Sequence, residues 1–204
     1  MMSLADIALT GFEYIRKGGI VMVPLAGLSF WMWFLIIREL VDLYSFRKEV
    51  IVPPEIVKNY AGDVHSMRGW KGRLMEEFLN GCVFEPETDK KLLLTIVRKQ
   101  LNPLEKGAST ILILASVAPL LGLLGTVTGM ITTFDVISIF GTGNARALAA
   151  GISEALITTQ TGLIVAIPGL FMGNFLRREI ERFGDRMERF GLSFYRMIEI
   201  TSSG

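Results

Sequence analysis

The chain has 204 residues, half of them hydrophobic, with 21 basic against 20 acidic side chains and a formal net charge of +1. That balance gives no compositional support for nucleic-acid binding, which marks itself by a basic excess. A single cysteine, Cys82, excludes an intrachain disulfide and a cysteine-based metal centre, and the lone His65 reads as a solvated surface residue.

The apolar residues collect in long uncharged runs, and about 20 apolar residues in helix suffice to cross a bilayer. Residues 18–37 qualify, 107–134 qualify with length to spare, and 155–176 qualify. The first run starts too late and is too long for a cleavable signal peptide. Its bulky FWMWFLII also leads straight into Arg38 and Glu39. The expected fold class is an all-α, polytopic membrane protein with three transmembrane helices extended into a helical cytoplasmic region.

Orientation follows from charge. Twelve of the 21 Lys and Arg residues lie in 38–106 and six follow Leu176, whereas the leader has only Arg16 and Lys17 and the link between spans two and three only Arg146. The positive-inside rule therefore puts the middle region and the C-terminus in the cytoplasm. In chain order the expectation is a non-cytoplasmic segment 1–17, a span 18–37 and a helical cytoplasmic region 38–106. A second span 107–140, a turn 141–145, a third span 146–176 and a cytoplasmic amphipathic helix 177–204 complete it. Pro53–Pro54 is expected to stop the first helix, segments 66–81 and 87–101 to be helical, and Asn102–Pro103 to break the helix before the second span.

In the second span, LLGLLGTVTGMITTF is uncharged yet holds three glycines and four threonines. The spacing Gly125-x-x-x-Gly129, with Gly122 one turn earlier, lets another helix backbone come close. Thr126 and Thr133 share a face seven residues apart. In the third span the residue that stands out is Glu154. If the helix begins near Ala145, Glu154 lies about 13 Å along it at 1.5 Å per residue, where a carboxyl normally faces a bundle interior or a water-filled path. If it begins at Gly151, Glu154 is a first-turn residue that complements the helix dipole. Thr158 and Thr161 follow at i+4 and i+7, and Thr159 and Gln160 add polarity further round. One threonine can bond back to its own helix, but several on two spans beside a carboxyl point to a polar lumen. Pro119 and Pro168 interrupt the spans, as membrane helices tolerate.

After the third span, Ile180, Phe183, Met187, Phe190, Phe194 and Met197 step by three and four. This seam suits packing on the 38–106 helices of the same subunit or association around an oligomer axis; packing against neighbouring helices in an oligomer is the expectation, own and other subunits undivided.

No phosphate loop, HExxH or GxSxG occurs, so no catalytic, cofactor-binding or metal-ligating set is expected. A substrate transporter is disfavoured because three spans without an inverted repeat are few for alternating access. A non-conducting scaffold that clusters a partner is the alternative to a proton-conducting subunit.

The stretches ILASVAPLLGLLGTVTGMITTF (113–134) and GISEALITTQTGLIVAIPGLF (151–171) resemble the signature of the MotA/TolQ/ExbB proton channel family. One span before the cytoplasmic region resembles the ExbB and TolQ branch. The resemblance implies a bacterial inner-membrane protein, a homopentamer around a central pore. Inside it would sit single-span helices of an ExbD- or TolR-like partner, whose membrane aspartate carries the proton. Proton flow would then move that partner and drive a TonB- or TolA-like protein. Matched motif to motif, the family's pore threonines fall on Thr126 and Thr159 and its membrane glutamate on Glu154. Thr158, Thr161 and Thr133 are further expected lining residues, and Gly122, Gly125 and Gly129 are expected to pack helices.

Overall fold

The computed structural model describes residues 18–47, 69–83, 85–141 and 144–202, and all regular structure among them is helical. The leader 1–17, the Pro53–Pro54 stop, His65 and the centre of the 141–145 turn lie outside the described residues. Among the described residues four helices follow in order: α1 Met22–Arg47, α2 Trp70–Leu79, α3 Pro86–Phe140 and α4 Ala145–Ser202. Three of them, α1, α3 and α4, are long and apolar enough to cross a membrane. The chain is therefore an all-α, multi-pass membrane protein.

Two boundaries differ from the sequence expectation. Asn102–Pro103 does not break a helix: α3 runs for 55 residues through Pro103 and Pro119. A proline inside a helix costs on the order of 3 kcal/mol. Burial of Leu101 and Leu104 on either side of Pro103 offsets that cost. Likewise α4 continues for 58 residues through Pro168, so the third span and the amphipathic tail are one helix. The expected helix 66–81 is described only as Trp70–Leu79.

The chain divides into two compact units, one of Met1–Ile36 with Thr110–Asn174, the other of Ile37–Ser109 with Phe175–Gly204. The second unit has an aromatic core. Trp70 on α2 stands edge-on to Phe183 and Phe190 of α4, at 5.4 and 5.5 Å between ring centroids. Phe78 meets Phe194 and Tyr195 in the same way. The Lys71 ammonium lies over the Trp70 and Phe190 rings, and burial holds its pKa below the usual lysine value. On the α3 side, Leu93 fills the space over Gly191 and Leu101 that over Gly184. The apolar seam of α4 is thus taken up by α2 and α3 of the same chain through Ile180, Phe183 and Met187, all buried. In this unit, too, the Glu39 carboxyl of α1 is buried against Gly107 of α3.

In the first unit α3 and α4 pack along small residues. A Cβ on Gly122 would meet the Thr158 carbonyl at 3.0 Å and the Gly162 Cα at 3.4 Å. One on Gly129 would meet the Gly151 carbonyl at 2.9 Å and the Ala155 nitrogen at 3.0 Å. One on Gly162 would meet the Ala118 carbonyl at 2.8 Å. Backbone touches backbone, an approach open only to helices without side chains in the way. α1 joins through Met32, whose thioether lies over Gly169.

Candidate functional site

The start of α4 decides what Glu154 is. The Asn144 side chain caps the helix, its Oδ1 accepting from the Ala147 N–H at 3.1 Å. The helix therefore begins at Ala145, and Glu154 sits about 13 Å along it at 1.5 Å per residue. It is not a first-turn residue. Its half-buried side chain reaches the backbone of Gly19, just before α1: a Cβ there would lie 2.6 Å from the Glu154 Cδ.

The threonines occupy three different places. Thr158 is fully buried and Thr133 nearly so, both within the α3–α4 seam. The Thr158 side chain fills the space over Gly125, and the Thr133 hydroxyl fills that over Gly151. Their hydroxyls donate to their own helices, Thr158 to the Ala155 and Glu154 carbonyls at 2.9 and 3.1 Å and Thr133 to the Gly129 carbonyl at 2.9 Å. These two lie between helices of one chain and on no open face.

Thr126 and Thr159 flank the seam. At 100° per residue each stands about 60° from the centre of its helix's buried stripe, and in an antiparallel pair these offsets fall on the same side. Both are half-buried. The Thr126 hydroxyl donates to the Leu123 carbonyl at 2.6 Å. That of Thr159 is shared between the Ala155 carbonyl at 3.2 Å and, across the seam, the Gly122 carbonyl at 3.4 Å. Glu154 stands about 80° round in the opposite sense, and Thr161 about 100°. Thr161 donates to the Ile157 carbonyl at 2.7 Å. The carboxyl and the Thr126–Thr159 pair therefore lie on opposite sides of the α3–α4 seam, at neighbouring depths.

Sequence reading named the glycines of α3 but not their counterparts. Gly151, Ala155, Gly162, Gly169 and Gly173 form the matching row on α4. Their spacing by four and seven carries the same kind of signal as Gly122, Gly125 and Gly129. Gly19 could not have been found by spacing, because its contact spans most of the chain. Among the described residues no group of three or more His, Cys, Asp or Glu could hold a metal ion.

Residues 71–189 match the MotA/TolQ/ExbB proton channel family, and that segment contains every one of these polar positions. The chain belongs to this family. Within the MotA/TolQ/ExbB family its similarity is to ExbB proteins. It is 34% identical over 171 residues to a Synechocystis protein named as biopolymer transport protein ExbB-like 1, covering 76% of this chain and 66% of that one. It is 34% identical over 172 residues to ExbB-like 3 of the same organism, covering 78% and 81%. To the biopolymer transport protein ExbB of Aquifex aeolicus it is 44% identical over 77 residues, covering 38% and 52%. The chain thus spans just under two thirds of the first relative and about half of the third.

Proposed function

We propose that the chain is the stator subunit of a bacterial inner-membrane motor. Five copies surround the single-span helices of an ExbD- or TolR-like partner, with N-termini periplasmic and C-termini cytoplasmic. Proton flow moves that partner, which passes force to a TonB- or TolA-like protein. Residues 38–106 and 177–204 form the cytoplasmic part.

The observation that carries this reading is the arrangement around the α3–α4 seam. Glu154 is set well inside α4 on one side, with Thr126 and Thr159 hydroxyls on the other. A carboxyl at that depth is costly unless it serves a path. Thr126 and Thr159, on the other side of the seam, offer the partner hydroxyls that do not titrate, and a relay needs acidic groups in series, so the second carboxyl belongs to the partner. Thr133 and Thr158 fix the wall from behind. The cargo and the envelope process lie with the partner proteins.

The test is proton uptake into vesicles carrying the chain with its co-expressed single-span partner. Glu154→Gln, Thr126→Ala and Thr159→Ala are each expected to lower the flux while the complex still assembles. Full flux in all three assembled variants would refute the reading.

A further inference from the structure

Gly19 adopts a left-handed backbone, φ 68°, three residues before α1, and the space where its side chain would stand is taken by the Glu154 carboxyl. A Cβ there would lie 2.6 Å from the Glu154 Cδ and 3.3 Å from its Cγ. The residue before it repeats the contact one turn along α4. A Cβ on Gly18 would meet the Ile157 Cγ2 at 3.2 Å, and Ile157 follows Glu154 at i+3 on the same face. The Gly18–Gly19 pair therefore lies flat on the strip of α4 that carries Glu154.

We infer that Gly19 is the positioning residue for Glu154: its absent side chain and left-handed backbone form the seat that sets where the membrane carboxyl points. This rests on the proposed role of Glu154 and adds to it. Any L-residue at Gly19 meets two obstacles, the left-handed conformation and the carboxyl itself. A side chain pushed from its seat must take another rotamer, and a reacting group misplaced by about 1 Å can lose on the order of a hundredfold in rate. Gly27, inside α1 with nothing within 4 Å of its would-be Cβ, is the control.

The seat is read directly by the rate at which dicyclohexylcarbodiimide, a membrane-soluble carboxyl reagent, modifies Glu154. Mass spectrometry of the purified protein in lipid nanodiscs follows the label, and Glu154→Gln identifies the labelled peptide. Gly19→Ala is expected to change that rate several-fold and Gly27→Ala to leave it at the wild-type value. Gly19→Asn, whose residue type tolerates the left-handed backbone, is expected to behave as Gly19→Ala, which separates space from conformation. In the proton-flux assay Gly19→Ala is expected to lose roughly ten- to a hundredfold, and Glu154→Asp in the same chain, one methylene shorter, to recover part of it. Wild-type labelling in Gly19→Ala and Gly19→Asn overturns the inference. Labelling reports the seat whether or not the complex conducts, so a failed motor reading and a failed seat give different results. Should Gly19→Ala not accumulate, Gly19→Asn combined with Glu154→Ala, which removes both obstacles, decides the matter. Recovery of folded protein supports the seat, and continued failure overturns it.

Discussion

Gly162→Ala tests the backbone contact between α3 and α4. The added methyl would stand 2.8 Å from the Ala118 carbonyl oxygen and 3.2 Å from the Gly122 Cα. Neither atom is the end of a flexible side chain, so the two helices must move apart. Overpacking of this kind costs about 1–3 kcal/mol, while alanine is favoured over glycine within a helix by about 1 kcal/mol. The variant should be destabilised by about 0–2 kcal/mol net of that gain. Gly27→Ala, with open space around it, keeps the gain and has no clash. The two variants should therefore differ by about 1–3 kcal/mol, roughly five- to a hundredfold in the folding equilibrium. Equilibrium unfolding in mixed micelles, titrated with dodecyl sulfate and followed by circular dichroism, measures the difference. If Gly162→Ala proves as stable as Gly27→Ala, the close approach of the two backbones is wrong.

Thr158→Val keeps the shape that fills the space over Gly125 and removes a hydroxyl bonded only within α4. It should leave stability within about 1 kcal/mol and the proton flux at the wild-type level, in contrast to Thr126→Val. Trp70→Ala removes the side chain that Phe183 and Phe190 both pack on and should cost about 3–5 kcal/mol in the second unit, seen as earlier cleavage at α2 in limited proteolysis. Asn144→Ala loses the α4 cap and about 1 kcal/mol, with faster hydrogen exchange confined to the first turn after Asn144, whereas Asn144→Asp should retain protection. Gly107→Ala would drive the Glu39 carboxyl from its buried place. It should lower the thermal stability of the purified protein, and Glu39→Ala in the same chain should restore part of the loss.

The three spans were legible because bilayer thickness imposes a length, and uncharged runs of that length leave few alternatives. Helix ends were less so. Proline at 103 is a strong local stop, yet flanking Leu101 and Leu104 are buried, and side-chain burial between helices distant in sequence leaves no local mark. Glu154 and its neighbours illustrate the same limit on a finer scale. Glu154, Thr158 and Thr161 share one broad face, and the sequence pattern groups them. Because the glycines of α3 admit α4 so closely, the buried stripe reaches Thr158 and stops short of Glu154. A rotation of about 40°, the step from i to i+4, separates a residue locked between helices from one beside α1. The aromatic seam beyond residue 176 was readable as a seam, but its partners were not. That depended on Trp70 and Phe78, whose short helix offers only ten residues of pattern.

The two buried threonines have a mechanical consequence. A face of bare glycines resists separation but would let one helix slide along the other, as two smooth rods do. Thr158 projects from α4 into the hollow at Gly125, and Thr133 projects from α3 into the hollow at Gly151. Two pegs set from opposite sides forbid slip in either direction along the axis. The two membrane helices thereby keep their register through two small side chains, each already tied by its hydroxyl to its own helix and asking nothing of the other but shape.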